Sequence, residues 1–151
     1  MVASIDGATQ VGGLSGGLGG PADKALFGAL RAVADVILVA AGTVRAERYG
    51  PPGLAPQRRV ERRARGQAEV PRLAIVSGSL DLDLGAALFT EAVEQPFVIT
   101  SPAADRAKAE QVSRVGHLLV VGEGGRVDLA GALAALRDRD VRLCWLRADR
   151  R

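Results

Sequence analysis

The chain has 151 residues, 48% of them hydrophobic and 25% charged, with a formal net charge of +3 and a pI of about 9.7. That balance describes one soluble globular domain with a real core; no apolar run reaches the length of a membrane span, and no basic-then-apolar start marks a secretion signal. The single cysteine, Cys144, excludes an intrachain disulfide framework and fits a reducing cytoplasm, one histidine with one cysteine cannot build a usual zinc site, and 3% aromatic content leaves no stacking platform for single-stranded nucleic acid.

Met1–Ser4 reads as the tail of a strand and Asp6-Gly7 as a turn. Seven glycines between Gly7 and Gly20 make a loop that is either mobile or shaped to lie against a ligand. Pro21 suits the first position of a helix over Ala22–Ala34, whose Leu26, Phe27, Leu30 and Val33 recur at helical spacing and predict one apolar face.

Val36–Ala40 is a short apolar run rich in β-branched residues, as a strand covered on both faces requires. Ala41-Gly42 predicts a sharp turn. Thr43 is placed to cap the helix that follows, with Glu47 in its first turns, and Tyr49-Gly50-Pro51-Pro52-Gly53 stops it. The free amides of such a helix start attract anions, phosphates above all. By itself the stretch is equally an ordinary strand-to-helix connection.

Residues 54–70 show no period and predict an exposed loop. Arg58, Arg59, Arg62, Arg63, Arg65 and Arg72 fall in or beside it, interleaved with Glu61 and Glu69. A solvated surface accounts for them better than a nucleic-acid patch, since no aromatic residue or recognition motif accompanies them. Further strands are expected at Leu73–Val76, Phe97–Ile99 and Leu118–Val121, with a last one at Val141–Leu146, and helices at Ala103–Val112 and Leu129–Leu136. This alternation predicts an α/β fold: a largely parallel central sheet with helices on both faces. Ligands of such sheets bind at the carboxyl ends of the strands, which here carry Gly42-Thr43, Ser77-Gly78, Thr100-Ser101 and Gly122.

The dinucleotide G-x-G-x-x-G, the Walker loop and the G-x-S-x-G elbow are all absent. His117 reads as a structural or surface residue, Cys144 as buried rather than nucleophilic, and Gly122-Glu123-Gly124-Gly125 as a plain turn before Val127.

One set of residues is more specific: Ser4-Ile5-Asp6-Gly7, Ser15-Gly16, Pro21-Ala22-Asp23, Leu30-Arg31, Ala34-Asp35-Val36 and Gly42-Thr43-Val44-Arg45 through Tyr49-Gly50-Pro51. It resembles the pyrimidine reductases of riboflavin biosynthesis, the reductase domain of bifunctional deaminase-reductases, in their stand-alone actinobacterial form. The resemblance implies a dihydrofolate-reductase-like fold and NADPH-dependent reduction of the ribosyl group of 5-amino-6-(5-phosphoribosylamino)uracil to a ribityl group. It implies cofactor contacts at Ala3, Gly42, Thr43, Glu47 and Ser77, and substrate contacts at Ser15 and Arg31. Asp6 is the carboxylate nearest the expected reaction centre, as proton donor or merely as turn-former. The same resemblance implies a cytoplasmic homodimer with a small phosphoribosyl pyrimidine as partner, and neither nucleic acid nor membrane.

The family pattern runs from Met1 to about Val141 and stops. A partial reductase domain over 1–141 and an atypical tail over 142–151 are therefore expected. Codons chosen for Leu143–Arg150 and read in a neighbouring frame spell Val-Leu-Ala-Glu-Gly-Gly-Pro-Pro, the strand and turn that the family has here, so the tail is expected to be out of frame. Two alternatives stand beside the reductase reading: an inactive fragment that at most binds or dimerises, and a dihydrofolate-reducing enzyme on the same fold.

Overall fold

Every residue of Val36–Val39 is buried, which only a strand covered on both faces allows. This strand, β1 (Val36–Ala40), is the middle of the architecture. The structure, a computed structural model, describes residues 20–147. The expected opening strand Met1–Ser4, the glycine loop up to Gly19, and the candidate residues Ala3, Asp6 and Ser15 lie outside the described residues.

The described elements are α1 (Pro21–Val33), β1, α2 (Ala41–Ala46), α3 (Pro56–Ala64), β2 (Arg72–Val76), α4 (Ala87–Thr90), β3 (Phe97–Thr100), α5 (Arg106–Val112), β4 (His117–Val120), a small hairpin of β5 (Gly122–Glu123) and β6 (Arg126–Val127), α6 (Leu129–Arg137) and β7 (Cys144–Arg147). Five strands form one sheet in the order β4-β3-β2-β1-β7, and every neighbouring pair in it is parallel. Ile37 lies level with Leu73 on one side and Trp145 on the other. The α/β fold and its parallel sheet are thus as the sequence predicts.

The period-two alternation of the strands sorts side chains into two cores. Ile37, Val39, Leu73, Ile75 and Val98 pack under Val44 of α2, Leu88 and Phe89 of α4 and Val112 of α5. Val36, Leu38, Ala74, Phe97 and Ile99 pack on the other face under Ala132 and Leu136 of α6. The sheet grows from β1 to β4 with its connecting helices on one face. It then returns past β1 to β7 through α6 on the other face. That reversal makes a topological switch point between β1 and β7, where parallel sheets open a crevice at their carboxyl ends.

Two expectations fail, and a third is met only in part. Residues 54–70 are not a plain loop: α3 occupies Pro56–Ala64, with Pro56 at its first turn. Its inward residue is Arg62, 0% exposed, which donates to the carbonyls of Ala32 (3.2 Å), Ala34 (2.6 Å) and Ala68 (2.7 Å). A helix that buries a guanidinium rather than a hydrophobic stripe shows no apolar period, which is why it reads as a loop. The Arg run is therefore only partly a solvated surface: Arg62 and Arg65, together with Gln67, close the open carbonyls at the end of α1.

The apolar face expected on α1 is only partly covered. Leu26 is 58% exposed, and Leu30 and Val33 are exposed as well. Ala32 is buried instead, and Phe27 and Arg31 meet Trp145 of β7. Helical spacing locates a stripe but does not say which neighbour covers it.

Thr43 does not cap α2. The strand runs straight into the helix, which begins at Ala41 with Ala40 at the N-cap and no side-chain cap, so Gly42 and Thr43 both lie inside it. Glu47 is the C-cap at its far end, not a first-turn residue. The turn expected at Ala41-Gly42 is absent because the first turn of the helix itself changes the chain direction.

Candidate functional site

Two regions bring candidate residues together. The first is the carboxyl edge of β1, β2 and β3. Thr43 and Ser77 are buried there, at 8% and 4% exposure. Thr100 and Ser101 at the end of β3 are buried too, and the Thr100 hydroxyl has no hydrogen-bond partner among the described residues. The Ser77 amide is tied to the Ile99 carbonyl at 2.9 Å, which fixes the turn after β2 against β3. Beyond it, Arg45 of α2 donates to the Asp81 carbonyl (2.8 Å) and Lys108 of α5 to the Ser79 carbonyl (3.4 Å). Small hydroxyl residues, one of them unsatisfied, and two cations held at the rim suit the sugar and phosphates of a nucleotide.

The second region is a cleft of about 250 Å³ lined by residues from the amino-terminal halves of β1 and β2 and from the chain around them. Arg31 at the end of α1, Ile37 of β1, Glu47 and Arg48 after α2, the Tyr49–Gly53 turn, and Pro71 and Leu73 line it. Arg31 and Glu47, named from the sequence for substrate and cofactor, thus open into one cavity. The Arg31 guanidinium lies 5.4 Å from the centroid of the Trp145 ring, a cation–π contact that helps to seat the side chain. Its Nε is buried without a hydrogen-bond partner among the described residues. A buried donor of this kind is costly unless a ligand accepts from it.

Of the sequence candidates described, Gly42, Thr43 and Ser77 gather at the strand ends and Arg31 and Glu47 at the cleft. Sequence reading missed Trp145, which seats Arg31; its being the only tryptophan, in a stretch set aside as atypical, was the available signal. It also missed Asp35. This carboxylate accepts from Gln67 Nε2 at 2.5 Å and from the amides of Arg142 and Leu143 at 2.9 Å each. Partial burial pushes its pKa up; the Gln67 hydrogen bond, the two amides and the Arg62 charge outweigh that and hold it below the ordinary 3.8.

Of the two residues with other expected fates, His117 lies at the surface as predicted, and Cys144 is only partly buried. His117 starts the edge strand β4, exposed, with its ring against Phe97. Cys144 is half-buried, and burial raises its thiol above the ordinary value, only partly opposed by a backbone hydrogen bond from Leu38. Such a thiol is a poor nucleophile at neutral pH. Gly122–Gly125 is a turn, as expected, within the β5–β6 hairpin. No group of three His, Cys, Asp or Glu residues that could hold a metal ion occurs among the described residues, and none of their helices is long and apolar enough to cross a membrane.

The model of the family described as the RibD C-terminal domain matches residues 1–148. The chain belongs to the RibD C-terminal domain family. Its fold agrees with that membership. A pyrimidine reductase-like protein of Corynebacterium diphtheriae superposes with a TM-score of 0.78 at 28% identity, covering 97% of this RibD-type chain and 62% of the other. The riboflavin biosynthesis reductase Rib7 of Saccharomyces cerevisiae superposes with a TM-score of 0.59 at 18% identity, covering 84% and 53%, a likeness of fold alone. The chain thus spans just over half to three-fifths of the length of these solved structures. No curated protein sequence matches it.

Proposed function

We propose that this RibD-type domain uses NADPH to reduce the ribosyl group of 5-amino-6-(5-phosphoribosylamino)uracil, or a close phosphoribosyl pyrimidine, to the ribityl form. One observation carries the reading: Arg31 and Glu47, from different elements, line one cleft.

The strand ends fit the cofactor. Thr43, Ser77 and the unpartnered Thr100 hydroxyl would hold its sugar and phosphate groups, with Gly42 beside them at the switch point between β1 and β7. When bound, NADPH supplies the hydride. What the chain's own residues contribute is placement. Arg31, braced by Trp145, grips the substrate phosphate; Pro51 and Pro52 wall the cleft and exclude water; Glu47 faces the same cleft. Ala3 against the nicotinamide, Ser15 at the substrate and Asp6 as the nearest carboxylate complete the proposal, together with a cytoplasmic homodimer.

The test begins with NADPH titrated into the purified chain, followed by turnover of the phosphoribosyl pyrimidine. Saturable binding with turnover supports the reading. Saturable binding without turnover assigns the chain to the binding-domain alternative. Absence of NADPH binding at millimolar concentration overturns the cofactor assignment, and turnover of dihydrofolate in its place overturns the substrate.

A further inference from the structure

Arg48 sits where the chain leaves α2, and its φ is +47°. Two backbone hydrogen bonds close the helix there: Tyr49 N–H donates to the Val44 carbonyl at 3.1 Å, and Arg48 N–H to the Arg45 carbonyl at 3.4 Å. This nested pair is the helix ending whose left-handed residue is ordinarily glycine, because any Cβ is crowded in that conformation. Arginine is therefore a poor residue for the turn itself. Packing does not explain it either: Arg48 is exposed, and its guanidinium makes no hydrogen bond or ion pair among the described residues.

Its position supplies a reason. Arg48 lines the same cleft as Arg31. Arginines of the neighbouring α3 are already engaged, Arg58 with Glu61, Arg63 with Glu69, and Arg62 with backbone carbonyls. Arg31, held by the Trp145 ring, and Arg48 are two guanidinium groups on one small cavity that make no hydrogen bond or ion pair among the described residues, against the carboxylate of Glu47, which has an interaction of its own. A phosphate monoester presents three acceptor oxygens and close to two negative charges, which two guanidinium forks match and one exposed cation holds weakly.

We propose that Arg48 is the second arm of a phosphate clamp whose first arm is Arg31, and that the clamp makes the cleft selective for phosphorylated over unphosphorylated sugars. This rests on reading the cleft as the substrate site. The left-handed backbone at Arg48 is the stability given up to aim its side chain at the phosphate.

Ribose 5-phosphate, with ribose as the neutral control, is titrated calorimetrically into the full chain and into the variants Arg48→Gly, Arg48→Lys and Arg31→Ala. The native chain binds the phosphorylated sugar more tightly than ribose. Arg48→Gly weakens ribose 5-phosphate about tenfold, the loss of one charge-assisted hydrogen-bonding group. It leaves ribose unaffected and raises the Tm by about 2–4 °C, since glycine relieves the turn. Arg48→Lys recovers part of the affinity. A purely structural Arg48 would lose affinity and Tm together, and that result overturns the clamp. Unchanged affinity in Arg48→Gly, with loss in Arg31→Ala, also overturns it while leaving the substrate cleft standing. Equal binding of the two sugars, or no effect of either arginine, overturns both.

Discussion

Asp35 holds Leu143 across 108 positions of sequence: its Oδ2 accepts the Leu143 amide at 2.9 Å, and the Asp35 amide donates back to the Leu143 carbonyl at 2.8 Å. The same carboxylate receives Arg142 N–H, so one side chain at the start of β1 fixes the start of β7. Because β7 carries Trp145, and Trp145 seats Arg31, the register of this edge strand reaches into the cleft.

The Asp35 carboxyl is held below its ordinary value in the folded chain. A depressed acid stabilises the fold above its unfolded-state value and loses that contribution as pH falls through the folded one. Stability is expected to be insensitive to Asp35 from neutral pH down to about 3.8 and to decline below it. In Asp35→Asn that acid-dependent part disappears, and urea midpoints measured against pH would show it. Without the clip, β7 opens more often and Cys144 becomes reachable. Asp35→Ala is expected to speed thiol-reagent labelling of Cys144 about tenfold at neutral pH, an effect of local opening. Equal labelling rates in the two proteins would remove Asp35 from this role.

Arg62→Met is expected to destabilise by about 3 kcal/mol, since it leaves the carbonyls of Ala32, Ala34 and Ala68 buried and less satisfied. Arg62→Lys should recover only part of this, a single ammonium being unable to copy the planar fork. Chemical denaturation compares the three. A loss under 1 kcal/mol in Arg62→Met would mean that water reaches these carbonyls.

Trp145 is the only tryptophan, so the cleft has a built-in reporter. Its ring touches Phe27, with centroids 5.5 Å apart, and lies under Arg31. Binding of a phosphorylated sugar at Arg31 is expected to change its fluorescence, and Arg31→Ala to abolish the change. A saturable signal that survives Arg31→Ala would place the ligand elsewhere.

Gly122 has a φ of +105°, and a Cβ there would run into the Arg126 carbonyl and the Asp128 amide. Gly122→Ala is expected to cost about 2–3 kcal/mol and to detach the hairpin from the loop before α5, which it meets through the Ala103 amide and the Gly124 carbonyl. Gly124→Ala, with a positive φ but open space around it, should cost less. Thermal melts of the two variants rank them, and the reverse order would refute the steric explanation.

The sequence determined the strands and the sheet type by itself. Runs such as Val36–Val39 and Phe97–Ile99 bury every residue, and that requirement is written in their composition; β1 to β4 lie within one residue of the expected bounds. It also carried a family pattern, at Leu30-Arg31 and at Gly42–Pro51, dense enough to name Arg31 and Glu47. What it could not carry are the relations made by polar side chains across distance. Arg62 is a buried cap for a helix far from it in sequence, and no periodicity records a hydrogen bond to a carbonyl. The left-handed turn at Arg48 is invisible where arginine stands in glycine's place. Trp145 acquires its role only when β7 pairs beside β1 and sets its ring under Arg31. Hydrophobic burial repeats along the chain and is legible there, whereas hydrogen bonds and cation–π contacts join single residues whose partners only the folded chain selects.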